Sequence, residues 1–137
     1  MVQKPIVLAS ACLTGLCTRY DGQAVEAPGF REQVKNSVLI PVCPEQLGGL
    51  PTPRTAADII GGDGFDVLDG KARVLCKDGV DVTDEFLKGA RQVLEIALDQ
   101  DISKIFLKAR SPSCGVARKG VTAALLERNG FRLEEFG

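Results

Sequence analysis

Three cysteines occupy positions where chemistry is to be expected. Cys12 in Ser10-Ala11-Cys12, Cys43 in Pro41-Val42-Cys43-Pro44-Glu45 and Cys114 in Ser111-Pro112-Ser113-Cys114-Gly115 each follow a short apolar run. The chain has five cysteines and no histidine, so imidazole is excluded both as a base and as a metal ligand. Reactive chemistry must then use thiolates, carboxylates, hydroxyls, amines or the backbone. Soft thiolates select zinc, copper(I) or iron–sulfur clusters. A closed zinc site needs four Cys or His ligands, commonly in close pairs, and no Cys-x2-Cys pair is present, so structural zinc is disfavoured. The same missing spacing argues against a thiol redox protein. With three ligands, an iron–sulfur cubane keeps one iron open as a Lewis acid. Cys17, five residues past Cys12, is a candidate fourth ligand. Cys76, within an apolar strand pattern, reads as a structural residue.

These cysteines require elements that bring them together. Ile6–Ala9 and Val38–Val42 are continuous apolar runs, the pattern of strands buried on both faces of a parallel sheet. Pro28, Phe30, Val34 and Asn36 suggest a short crossover helix between them. Ile105-Phe106-Leu107 is a further buried strand. If the three strands are parallel neighbours, their carboxyl ends share one sheet edge, where open α/β folds place ligands. Thr83 is positioned to cap a helix, with Asp84 and Glu85 in its first turn and Phe86, Leu87, Ala90, Val93, Leu94, Ala97 and Leu98 on one face. Val121–Asn129 forms the last helix, closed by Gly130, with a terminal strand at Phe131–Leu133. From Asp58 to Val82, the turn dipeptides Asp63-Gly64, Asp69-Gly70 and Asp78-Gly79 around Val67-Leu68 and Ala72–Leu75 indicate a β-hairpin excursion. Asp63, Asp66 and Asp69 are three apart, unlike the alternate-position ligands of a calcium loop. The expectation is one α/β domain spanning residues 1–137. It has a mainly parallel sheet with crossover helices in a Rossmann-like three-layer arrangement, and a hairpin over about 58–82.

The 137 residues carry 17 basic and 18 acidic side chains, a net charge of −1. That balance lacks the field needed to hold a nucleic acid duplex. The opening Met1–Ala9 segment has too short an apolar run for a secretory leader or a membrane span, which points to the cytoplasm and reduced thiols. One charge asymmetry stands out. Between Ile102 and Leu126 there is no acidic residue, whereas Lys104, Lys108, Arg110, Arg118 and Lys119 are present. Such cations near Cys114 would favour its thiolate or an anionic ligand.

Together, Ser10-Ala11-Cys12-Leu13, Arg19-Tyr20-Asp21-Gly22, the run from Pro41 to Arg54, Ser111–Gly115 and Gly120–Leu126 resemble the DUF523 family almost end to end. That family includes thiouracil desulfidases. The resemblance implies a [4Fe-4S] cluster held by Cys12, Cys43 and Cys114, with sulfur removed from a small thiolated pyrimidine base without net redox change. It implies Glu45 as the acid/base group that activates water and Ser111 as its partner in proton transfer, with Ser113 the substitute. Arg19 or Tyr20 would face the substrate, and Asp21 reads as a turn residue. The chain departs from the family in one place: only Val116–Lys119 separates Gly115 from Gly120, where a longer glycine-rich loop is usual. The alternative, from a different class, is a non-catalytic metal- or small-ligand-binding module using the same three cysteines. Oligomeric state leaves no mark in the sequence.

Overall fold

The computed structural model describes residues 3–137. Met1 and Val2, part of the opening segment discussed above, lie outside the described residues. A four-stranded sheet organises the fold in the order β2-β1-β5-β6, with every neighbouring pair parallel. Its strands are β1 (Ile6–Ser10), β2 (Val38–Val42), β5 (Ile102–Lys108) and β6 (Leu133–Phe136). The small antiparallel sheet pairs β3 (Ala57–Ile60) with β4 (Arg73–Cys76). The helices are α1 (Phe30–Gln33), α2 (Pro44–Leu47), α3 (Gly64–Leu68), α4 (Thr83–Asp99) and α5 (Val121–Arg128), with a 3-10 turn at Ala11–Thr14.

Side-chain alternation along the central strands explains the layers. Leu8, Ile105 and Leu107 point to one face and pack with Val93, Ala97, Ala123 and Leu126 of α4 and α5. Val7, Ala9 and Phe106 point to the other and meet Leu13 and Phe30, where Phe30, Phe106 and Phe136 form edge-to-face ring pairs. The expected α/β architecture with its parallel sheet is therefore present. The chain leaves β1 for β2 on one side and later returns to β5 on the other, so a topological switch point lies between β1 and β5.

Several local expectations are corrected. The excursion does contain an antiparallel pair, but Val67-Leu68 belongs to α3 and not to a strand. Asp63 and Asp66 form a reciprocal capping box that starts this helix, each carboxylate accepting from the other residue's amide. The crossover helix shrinks to α1, because Gly29 and Asn36 on either side adopt positive φ. Thr83 does not cap α4. Its hydroxyl accepts from the Val74 amide, and Asp81 accepts from the Thr83 amide instead. Leu98, expected on the buried face of α4, is 58% exposed in the last turn, where Ala97 is the residue that faces the core. The terminal strand starts two residues later than expected, at Leu133. Gly130 does close α5 with φ +86°.

Candidate active site

Cys12, Cys43 and Cys114 come from three segments remote in sequence, and each follows the carboxyl end of a sheet strand. Cys12 sits in the 3-10 turn directly after β1, where Val25 donates its amide to the Cys12 carbonyl at 2.9 Å. Cys43 follows β2 and is the N-cap residue of α2, whose first position is Pro44, a residue pre-set for a helix start. Cys114 follows β5 after a sharp reversal at Arg110, which adopts φ +57°. Because β2, β1 and β5 are adjacent, all three thiols line one cavity of about 230 Å³.

The loop carrying Cys114 is built by its serines. The Ser111 hydroxyl oxygen accepts from the amides of Ser113 (3.2 Å) and Cys114 (3.1 Å), fixing a side-chain turn. Gly120 completes the packing, since a Cβ there would lie on the Ser113 carbonyl group. The first turn of α5 uses that contact: Val121 donates to the Pro112 carbonyl, and Thr122 and Ala123 donate to that of Ser113.

Glu45 lies in the first turn of α2, two residues past Cys43, and lines the same cavity. Its Oε1 accepts from Arg54 Nε at 3.0 Å and its Oε2 from Ser113 Oγ at 2.8 Å. Each carboxylate oxygen therefore has one fixed donor and retains acceptor capacity. The hydroxyl in contact with Glu45 is thus that of Ser113, not that of Ser111. Ser111 lines the cavity, and its hydroxyl proton has no acceptor among the described residues.

The electrostatics are one-sided. Arg19, Arg54, Lys108 and Arg110 line the cavity, and Glu45 is the sole carboxylate among its lining residues. Of the five cations in the acid-free segment, only Lys108 and Arg110 reach it. Lys104 pairs with Glu134, Arg118 with Asp58 and Lys119 with Glu127. Burial, then the neighbouring Arg110, pushes the Lys108 ammonium down from its ordinary range. Burial raises the Cys114 thiol far above the usual thiol range, opposed by a hydrogen bond from Ser10 and reinforced by Cys12, Glu45 and Cys43. Burial also raises Cys12, with the Cys43 charge as the next cause. With both thiols disfavoured as thiolates by burial, ionising Cys12 and Cys114 side by side needs a compensating positive ligand.

Among the described residues, no three Cys, Asp or Glu side chains converge closely enough to hold a single metal ion. Three thiols ringing a cavity, with cations around them, instead fit a larger polynuclear group. Cys17 is exposed and absent from the cavity wall. Cys76 is partly buried against the apolar cluster of the excursion. Tyr20 is exposed at the cavity, with Arg19 stacked 5.7 Å from its ring centroid, while Asp21 turns back to Arg19 and the Gln23 amide. Arg54 was not singled out by sequence reasoning. The available signal was that it is the only basic residue between Lys35 and Lys71, as Glu45 is the only acidic one between Glu32 and Asp58.

Residues 7–135 match the family model described as 2-thiouracil desulfurase. The chain is 39% identical over 141 aligned positions to the uncharacterized protein YbbK of Bacillus subtilis (strain 168), covering 93% of each chain. It is also similar to the solved structure of the [4Fe-4S]-dependent thiouracil desulfidase TudS. That match has a TM-score of 0.80 and 34% identity, covering 97% of this chain and 91% of the other. No described helix is long and apolar enough to cross a membrane.

Proposed function

We propose that this chain, which belongs to the 2-thiouracil desulfurase family, removes sulfur hydrolytically from a small thiolated pyrimidine base with the help of an iron–sulfur cluster. The observation that carries this reading is the meeting of three strand-end thiols and one clamped carboxylate in a single cavity. Cys12, Cys43 and Cys114 would hold a [4Fe-4S] cluster, which supplies an open iron as a Lewis acid for a thiocarbonyl sulfur.

The remaining chemistry belongs to the chain. A thiocarbonyl and water exchange to a carbonyl and hydrogen sulfide, with no change in oxidation state. Glu45 takes the proton of the attacking water at a carboxylate oxygen, the role a carboxylate must fill where no histidine exists. Ser113 and Arg54 keep that carboxylate oriented. The free hydroxyl proton of Ser111 is the natural donor toward a leaving group in the cavity. Arg19, Lys108 and Arg110 offset negative charge accumulating there. The Tyr20 ring supplies a flat wall on which a pyrimidine stacks.

Anaerobic reconstitution with iron and sulfide tests the first half: wild type should show the absorption and iron content of a cluster, and Cys12→Ser, Cys43→Ser and Cys114→Ser should each lose it. Incubation with 2-thiouracil, following uracil and sulfide, tests the second. Turnover retained in Glu45→Ala would remove Glu45 from the mechanism. Stoichiometric zinc with no turnover would return the chain to the binding-module class.

A further inference from the structure

We infer that Arg54 is the positioning residue of this site, setting both the Glu45 carboxylate and the Cys43 sulfur; the inference rests on the reading of Glu45 as the acid/base group. A guanidinium has five N–H donors in a rigid fork. All five have partners within the chain. Nε donates to Glu45 Oε1 at 3.0 Å, and Nη1 donates to Thr52 Oγ1 at 2.7 Å and to the Pro51 carbonyl at 3.3 Å. Nη2 donates to the Thr18 carbonyl at 2.9 Å and to Cys43 Sγ at 3.8 Å. The side chain is 6% exposed, and the Arg54 amide is itself fixed on the Tyr20 carbonyl at 2.7 Å.

With every donor engaged, Arg54 has none left for a substrate, although it lines the cavity. It acts through the groups it holds. One chain of contacts runs from Ser113 through Glu45 and Arg54 to Cys43, joining the loops after β5 and β2. The same guanidinium anchors the loop at Thr18, between Cys12 and Tyr20. A lysine ammonium is a point charge with three donors and cannot span Glu45, Cys43 and Thr18 together. A cationic N–H directed at a ligand sulfur stabilises added negative charge, which raises the reduction potential of a cluster bound there. Ser113 touches only the Glu45 end, so it separates the two effects.

The test uses anaerobically reconstituted wild type, Arg54→Lys, Arg54→Gln, Ser113→Ala and Glu45→Gln. It reads iron content, the potential by redox titration, and kcat and KM with 2-thiouracil. Both Arg54 variants should lower kcat about 10- to 100-fold, keep KM within about threefold, and shift the potential to more negative values. Ser113→Ala should lower kcat and leave the potential unchanged. Wild-type kcat and potential in Arg54→Lys would overturn the inference, as would a rise in KM at unchanged kcat, which would make Arg54 a substrate-binding group. If Arg54→Gln does not fold, Arg54→Lys decides, since it keeps the charge and most of the volume. Wild-type turnover in Glu45→Gln would instead remove the Glu45 reading, while the potential would still report the contact between Arg54 and Cys43.

Discussion

Replacing Gly89 by alanine should destabilise the protein and disable the site, although the same change in an ordinary helix stabilises it. Gly89 lies inside α4, where alanine is favoured over glycine by ~1 kcal/mol. A Cβ at this position, however, would lie on the Pro44 carbonyl group and 3.2 Å from the Gly48 amide nitrogen. These neighbours are backbone, so no side chain can rotate away. Overpacking of this kind costs ~1–3 kcal/mol, and the absence of any give places it at the upper end, leaving a net loss of ~1–2 kcal/mol after the propensity gain. In urea the midpoint should fall by roughly 0.5–1 M at an unchanged slope. The relief available is a shift of α2 away from α4, which moves Cys43 and Glu45 with it. A displacement of about 1 Å at the reacting groups costs on the order of 10²-fold in turnover. Gly48→Ala meets the Glu85 carbonyl from the opposite side. The two substitutions should be non-additive, because the first to separate the helices makes room for the second. A midpoint above wild type in Gly89→Ala, with full turnover, would refute the reasoning; Arg91→Ala on the exposed side of α4 is the neutral control.

Three other outcomes are expected. Cys17→Ser and Cys76→Ser should keep wild-type iron loading, because neither residue lines the cavity; loss of iron in Cys17→Ser would add a fourth ligand. Asp63→Ala should lower stability by ~1 kcal/mol by removing the capping box of α3, measured by urea unfolding, and an unchanged midpoint would deny the cap its role. The Val116 and Ala117 amides hold the Glu135 carboxyl below its ordinary value of 4.5. Since the folded-state value is depressed, this contribution is present above that pH and fades as pH falls through the depressed value. Hydrogen-exchange protection of those two amides, corrected for intrinsic rates, should therefore hold at neutral pH and drop once the pH falls below 4.5. A flat profile would contradict it.

The centre of the sheet was legible because Val7–Ala9 of β1 and Ile105–Leu107 of β5 are buried on both faces and so read as unbroken apolar runs, and β2 keeps the same apolar signature although it is only half-buried at its edge of the sheet. Placement of Cys12, Cys43 and Cys114 after those runs then followed from strand adjacency alone. What remained illegible depends on contacts that leave no periodic trace. Val67-Leu68 looks the same in a strand or in one turn of helix, and only the reciprocal bonds of Asp63 and Asp66 select the helix. Thr83 has the chemistry of a cap, but the nearby Val74 amide takes its hydroxyl first. Ser111 and Ser113 are equivalent as a motif. Their roles separate because one hydroxyl faces back onto its own loop and the other reaches Glu45, 68 residues away in sequence.

The short Val116–Lys119 loop acquires a physical role once its contacts are followed. Arg118 donates to the Asp58 carboxylate at 3.0 Å and to the Ile59 and Gly62 carbonyls at 3.1 and 3.2 Å, and the Gly64 amide donates back to the Lys119 carbonyl at 2.7 Å. Glu135 holds the other end of the loop at Val116 and Ala117. The loop is therefore a strut between the excursion and β6, and β3 of that excursion begins three residues after Arg54. Its near end is held as well, since Lys77 donates its amide to the Ala56 carbonyl at 2.9 Å. Arg118→Ala removes three bonds from a side chain that is 59% exposed, so its effect on global stability should be small, ~0–1 kcal/mol. Its local effect should be larger. Exchange of the Ile59–Gly62 amides should rise, and turnover should fall as the Arg54 segment loosens, while the urea midpoint stays near wild type. If exchange and turnover both stay at wild-type values, the strut does not position the site, and the excursion is held without Arg118 by its apolar contacts with α4 and α5 and its remaining hydrogen bonds.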